Sequence, residues 1–370
     1  MRPASEQELA EAIRDAVGPL RVRGGGTRAV GRPAEGVALS VAGLAGIRLY
    51  EPGALTLVAG AGTPLAEVES VLAEAGQHLP FEPMDHRGLA GTEGVPTLGG
   101  MVAANASGPR RMRAGACRDS LIGVRFVDGR GAIIKNGGRV MKNVTGYDLV
   151  KLMAGSWGTL GVLSEVAFKL LPRPETGQTL VFDGLGPERA VAAMAAALGS
   201  PYEVTGAAYL PDGRMVLRQE GFAASVAYRA GALAGHLAGF GSPARLEGQE
   251  SAALWAGVRD VAPFHGVVGD IWRLSVKPSD APALVARAGD GRGVLYDWGG
   301  GLVWLLMPEG RDLRADLGPF GGHATLVRAS AATRARIAPF PPEPAPVAAL
   351  STALRRRFDP RGILNPGLME

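Results

Sequence analysis

The chain has 370 residues, 46% hydrophobic and 20% charged, which excludes a disordered chain and is long enough for two domains with separate cores. A net charge of +4 carried by scattered arginines excludes the basic, aromatic-interleaved blocks of a nucleic-acid binder, and no apolar run is long enough to span a bilayer. The N-terminal stretch "MRPASEQELAEAIRDAVG" has no apolar signal core, so the expected location is the cytoplasm. Cys117 is the single cysteine; it allows neither an internal disulfide nor a four-cysteine iron–sulfur cluster and reads as an inert packing residue.

In chain order, Ser5 followed by Glu8 three residues later predicts a capped helix. "LRVRGGGTRAVGRP", Leu20 to Pro33, then places three glycines in a row with arginines on both sides. Without Cβ atoms this segment reaches positive φ and lets a ligand approach its amides, an arrangement suited to phosphate oxygens. Gly24, Gly26 and Ala29 fit G-x-G-x-x-G/A, but Gly31, Pro33 and Gly36 leave no room for the helix that a Rossmann dinucleotide site needs. "GVALSV", "GIRLYEPG" and "LTLVAGAG" read as strands, and Thr63 with Pro64 as the start of a helix ended by Gly76.

"TLGGMVAANASG" is a second glycine-led stretch, with Gly99 and Gly100 expected at the N-terminus of one or two helical turns, where an anion is favoured. "GPRRMRAG" adds Arg110, Arg111 and Arg113 for charge compensation. "LIGVRFV-DGRG-AIIK" is a hairpin turning at Asp128-Gly129, "YDLVKLMAG" a short helix, and "GVLSEVAFKLLP" a strand stopped by Pro172. "GSWGTLGVLSEV" is the third glycine-rich loop. Three such loops in one domain point to a large, extended, phosphate-bearing ligand.

Past the Pro-rich boundary "LPRPETG" the element order β-α-β-β-α-β occurs twice, separated by a connecting helix at "ESAALWAGVRDV". Two ferredoxin-like halves forming one sheet are expected. "PFPPEPAP" reads as a stiff linker before the helix "VAALSTALRRRF" and the tail "DPRGILNPG".

"VRGGGTR", "TLGGMVAANASGPRRMRAGACRDSLIGVRFVDGRG" and "GGRVMKNVTGYDLVKLMAGSWGTLGVLSEVAFKLLPRP" together resemble the PCMH-type FAD-binding domain of the vanillyl-alcohol oxidase family. Within it, "GGRVMKNVTGYDL" with "GPRR" upstream is similar to the FAD-binding subunits of bacterial glycolate oxidases, and "FDPRGILNPG" to the family's C-terminal signature. The resemblance implies an α+β chain: a two-subdomain PCMH-type FAD-binding domain over 1–173, a ferredoxin-like α+β cap or substrate domain over 174–338, and a linker, helix and returning tail over 339–370.

It also implies placements for the cofactor. Arg23, Gly24, Gly25, Gly26 and Thr27 would hold the FAD pyrophosphate. Glu82, Pro83, Thr97, Leu98, Gly99, Gly100, Asn105, Ser107 and Gly108 would line its ribityl and flavin side, with Arg113 supplying charge. Gly158, Gly161 and Val162 would meet the adenine end, and Asn365 with Pro366 would return to the isoalloxazine region.

Two departures from the family pattern matter. No histidine stands in the glycine loop, so FAD is expected to be noncovalent; and the stretch "GHxGDGNxH" is absent, leaving "GGHATLVRA" with His323 as nominal base and Arg328 as nominal carboxylate clamp. His78, His86, His236 and His265 show no ligand spacing, so no metal site is expected. The resemblance implies a place in a complex with a larger homologous FAD subunit, where the small 2-hydroxy acid is oxidised, and an iron–sulfur subunit, with membrane contact only through those partners. A self-sufficient D-lactate or 2-hydroxy-acid dehydrogenase and a non-redox assembly subunit are the alternatives.

Overall fold

Residues 1–138, 146–289 and 291–370 are described by the computed structural model. Residues 139–145, from within "GGRVMKNVTGYDL", lie outside the described residues. The first half carries two sheets. Leu20–Arg23 pairs in parallel with Val37–Ser40, and the helix Glu6–Arg14 closes the small core around Leu9, Ile13, Leu20 and Leu39. Ser5 caps that helix by accepting from Glu8 N, as the sequence predicts.

The second sheet is five-stranded and antiparallel, in the order Ile47–Glu51, Thr56–Gly60, Val162–Lys169, Leu121–Val127, Ile133–Gly137. The Leu121–Val127 and Ile133–Gly137 strands form the expected hairpin; Asp128 Oδ1 accepts from Arg130 N and Ala132 N, both at 2.9 Å, and so closes its turn. Helices Leu65–Glu74 and Leu98–Ala103 cover this sheet around Phe81, Phe126 and Phe168. One detail differs from the sequence reading. Pro64 occupies the cap position of Leu65–Glu74, and the Thr63 hydroxyl instead donates to Gly60 O at 2.7 Å and accepts from Gly46 N, bracing the strand end rather than the helix.

The second half is one antiparallel eight-stranded sheet, in the order Ala244–Glu247, Thr176–Phe182, Met215–Gly221, Val204–Tyr209, Gly293–Asp297, Leu302–Met307, Asp270–Val276, Gly322–Arg328. Each half has the ferredoxin-like 4-1-3-2 order, and among the described residues the two pair where Tyr209 faces Tyr296. Helices Pro187–Leu198, Ala223–His236, Ala281–Ala288 and Leu313–Leu317 pack on one face around Trp272, Tyr296 and Leu305. The other face turns to the first half, where Met84, Leu89, Trp255, Trp298 and Trp304 share a cluster. The period-2 alternation of strands then fixes which residues look toward the first half. Trp272 and Leu274 pack under the helices, whereas Arg273 and Ser275 border the space between the halves, as do His323, Thr325 and Val327.

A buried ion network ties the halves together. Arg218 donates to both Glu82 oxygens at 2.8 and 2.7 Å, its guanidinium lies 4.7 Å over the Trp255 ring, and Arg110 N donates to Glu82 at 2.9 Å. Burial alone would raise the Glu82 carboxyl, but Arg218 and Arg110 bring it below the usual carboxylate range. Arg110 also ion-pairs with Glu220 and lies 3.1 Å from the His78 ring nitrogens. Burial first, then the Arg110 charge, holds His78 down at about 4.

Two outcomes follow from this network. Arg218→Met leaves Glu82 buried without its partner and should lower stability by about 3–5 kcal/mol in urea titrations, with Glu82→Gln in the same chain restoring part of it. Because His78 binds its proton less readily folded than unfolded, stability should fall as pH drops from about 6.5 to about 4. His78→Gln should flatten that slope in pH-resolved melting curves.

Candidate functional site

The glycine loops of the first half converge on one cavity of about 330 Å³. Arg23, Gly24, Gly25, Gly26 and Thr27 line one wall, Gly99 and Gly100 a second, and Gly158, Gly161, Val162 and Asn365 a third. Backbone contact explains the glycines. A Cβ at Gly25 would lie 1.4 Å from the Val95 carbonyl oxygen, one at Gly24 2.5 Å from Thr97 Oγ1, and one at Gly161 2.6 Å from Phe126. Gly26 and Gly158 have φ of 74° and 72°.

Within the described residues the amides of Gly24, Gly25, Gly26 and Thr27 donate no internal hydrogen bond. The arginines after them complete the charge. Arg28 and Arg32 both line the cavity with buried Nε atoms that find no partner, and burial pushes Arg28 down to about 10. Unspent main-chain donors and guanidinium groups with an unsatisfied Nε around a bare loop fit a diphosphate.

The other predicted positions divide. The helix Leu98–Ala103 offers no free amides: Leu98 N donates to Thr63 O, Gly99 N to Ala61 O at 2.7 Å, and Gly100 N to Thr97 Oγ1 at 3.3 Å. Its glycines serve close approach instead, and Leu98 is a core residue. Thr97 caps this helix beneath the loop. Glu82 and Pro83 border a different cavity, of about 610 Å³, and the Glu82 carboxylate is spent on Arg218. Gly108 is part of the joint between the halves: its carbonyl accepts from Trp298 Nε1 at 3.1 Å, and a Cβ there would meet Glu82 O at 2.4 Å. Arg113 pairs at the surface with Glu203 at 2.6 Å.

Asn365 stands on the wall with Gly158 rather than with Asn105 and Ser107. Its Oδ1 accepts from Val22 N at 2.7 Å and its Nδ2 donates to Trp157 O at 2.9 Å, so it stitches the C-terminal tail to two of the loops.

A larger cavity, about 1180 Å³, lies between the halves and shares Val30 and Trp157 with the first. Asn105, Ser107 and His323 line it. Arg328 does not: its guanidinium donates to the carbonyls of Leu89 at 3.1 Å, Phe264 at 3.0 Å and Gly269 at 3.3 Å, which makes it a structural clamp. Two arginines stand in the cavity instead: one was offered by the sequence for charge compensation, the other was missed by sequence reading. Arg111 and Arg273 approach the Trp298 ring at 4.5 and 5.3 Å, and neither makes a side-chain hydrogen bond or ion pair with a described residue. Burial first, and Arg111 second, pushes Arg273 down to about 10. The neighbouring carboxyl, Asp297, is raised by burial to about 7 and accepts from Trp298 N at 2.7 Å.

Two imidazoles border the same space. Burial, with Arg273 nearby, holds His323 below its ordinary value, and no described residue hydrogen-bonds its ring. His86 places Nδ1 3.3 Å from the Met84 carbonyl, and burial with Arg28 holds it at about 3. Both are neutral near pH 7. Cys117 is buried and its thiol pushed up, in keeping with a packing role.

Residues 1–137 match the family described as FAD binding domain. Glycolate oxidase subunit GlcE of Escherichia coli (strain K12) is 37% identical over 369 residues, which cover 98% of this chain and 97% of that protein. The chain belongs to the GlcE family. Its cofactor is FAD. Glycolate oxidase subunit GlcD of Bacillus subtilis (strain 168) is 45% identical over 87 residues, 24% of this chain and 18% of that protein. Among solved structures, alkyldihydroxyacetonephosphate synthase superposes with a TM-score of 0.71 at 16% identity, covering 99% of this chain and 75% of the other, a likeness of fold. No helix among the described residues is long and apolar enough to cross a membrane.

Gly25→Ala should purify without flavin colour, because its methyl group must displace the Val95 backbone, whereas Gly18→Ala, with nothing within 4 Å, should keep it. Arg28→Met should weaken FAD binding by roughly tenfold or more, the size of one charge-assisted hydrogen bond, in titrations of the flavin-stripped chain.

Proposed function

We propose that this GlcE-family chain is the FAD-binding subunit of a glycolate oxidase complex, converting glycolate or a similar small 2-hydroxy acid to the 2-oxo acid. The observation that carries the reading is the Arg111–Trp298–Arg273 group, whose guanidinium groups make no ion pair or hydrogen bond with a described residue and stand in a cavity that shares Val30 and Trp157 with the nucleotide cavity. A buried cation without a partner is costly, and a carboxylate is the simplest group that relieves it.

Removing two electrons from a 2-hydroxy acid breaks a C–H and an O–H bond and forms the carbonyl. Bound FAD supplies the two-electron acceptor for that change. This chain's own residues orient the substrate and hold its proton. Arg111 and Arg273 fix the carboxylate, and His323, which borders the same cavity with no described residue hydrogen-bonded to its ring, takes the hydroxyl proton.

The electrons then pass to a larger homologous FAD subunit and an iron–sulfur subunit, since one cysteine cannot provide four thiolates. Membrane contact comes through that complex. FAD is held noncovalently, in keeping with a nucleotide cavity whose described lining has neither histidine nor cysteine.

The test is a titration of the flavin-loaded chain with oxalate and glycolate, followed by Trp298 fluorescence, with Trp298→Phe as control. Saturable binding is expected, weakened about tenfold or more by Arg273→Met. Absence of binding at millimolar concentrations would remove the substrate assignment. His323→Gln should leave oxalate binding intact and slow turnover of the complex by about 100-fold or more. Acid precipitation should leave the flavin in the supernatant, and a colourless chain that takes up no FAD would instead favour the assembly role.

A further inference from the structure

We infer that the outer face of the C-terminal helix, Ala345–Phe358, is the docking face for the protein that withdraws electrons from this chain, a partner whose contact surface is apolar with an acidic edge. The inference rests on the proposed role as one subunit of a redox complex.

This 14-residue helix has no buried residue, although a surface helix ordinarily hides one apolar stripe. Val347, Leu350 and Leu354 are 46%, 67% and 39% exposed. Their spacing of three and four puts them on one side of the helix. Ala348, Ser351, Thr352 and Arg355, on the adjoining side, border the cavity between the halves.

The helix is nonetheless fixed in place. Phe358 packs 6.0 Å from Phe126 between ring centroids, and its carbonyl accepts from Gly129 N at 2.9 Å. An apolar stripe held rigidly against solvent is a preorganised contact surface.

Charge and position select the occupant. Arg356 and Arg357 are exposed at the end of the stripe, Arg130 donates to the Arg357 carbonyl at 3.0 Å, and none of the three has a carboxylate within ion-pair distance among the described residues. An acid-rimmed partner complements that end. A protein seated on the stripe stands within one helix diameter, about 10 Å, of the cavity that borders the flavin site. Two of the large exposed rings, Phe222 and Tyr228, belong to the helix layer on the far face of the eight-stranded sheet, where the sheet itself would separate a partner from that cavity.

The experiment is affinity purification of the full-length tagged chain from its native source, comparing wild type with Leu350→Glu/Leu354→Glu. Partners are identified by mass and by flavin and iron content. The double variant should keep its own flavin and recover at least about tenfold less of the redox partner. Arg356→Glu/Arg357→Glu should also lower recovery and weaken the salt dependence of what remains.

Wild-type recovery by the leucine variant would overturn the docking assignment alone. A wild-type chain that brings down no flavin- or iron–sulfur-bearing protein would overturn the complex itself. Flotation of the wild type, but not the leucine variant, with phosphatidylglycerol vesicles would make a membrane surface the occupant and reject the protein partner.

Discussion

The site depends on main chain lying directly against main chain. Gly25 rests on Val95, and Gly94 on Gly25 in return, at distances where no side chain fits in either direction. That contact holds a loop with unspent amides open toward the cavity, while Thr97 and Gly100 support it from below. A loop that used its amides internally would be more stable alone but would offer nothing to a diphosphate. The surrounding structure, from the small parallel sheet to the tail stitched in by Asn365, keeps those donors unsatisfied and in place.

The second half contributes a surface rather than a loop. Its sheet buries Trp272 and Leu274 under helices, and the same alternation obliges Arg273 to face the first half. Two arginines against one indole ring would repel each other in isolation; the Glu82–Arg218 pair and the Trp298–Gly108 hydrogen bond hold the halves close enough to impose the arrangement. The ion network and the anion site are thus two uses of one interface, with the acids spent at one end and withheld at the other.

Local patterning made much of the fold legible. The Asp128-Gly129 hairpin, the capped first helix and the doubled β-α-β-β-α-β order follow from alternation, turn chemistry and capping. Three glycine stretches were readable as close-approach segments because glycine is required wherever a Cβ cannot fit. What each stretch does was less readable. Gly99 and Gly100 were expected to offer helix-terminal amides, yet those amides are paired with Ala61 and Thr97. Glu82, Arg113 and Arg328 carry charges that neighbours from distant sequence positions consume, and no single segment announces such partners.

By itself, the sequence determined where the backbone is bare, which strands alternate and how the second half repeats, since these follow from contacts between near neighbours. Tertiary structure alone decided which charges remain unpaired. Arg28, Arg32 and Arg273 are unremarkable in a chain with scattered arginines, and Arg111 is one of three in "GPRRMRAG"; the four become candidate ligand contacts because folding brings carboxylates into ion-pair distance of Arg110, Arg113 and Arg218 and, among the described residues, of none of them. The reason is physical: a charge is defined by what surrounds it within a few ångströms, and those surroundings come from both halves of the chain.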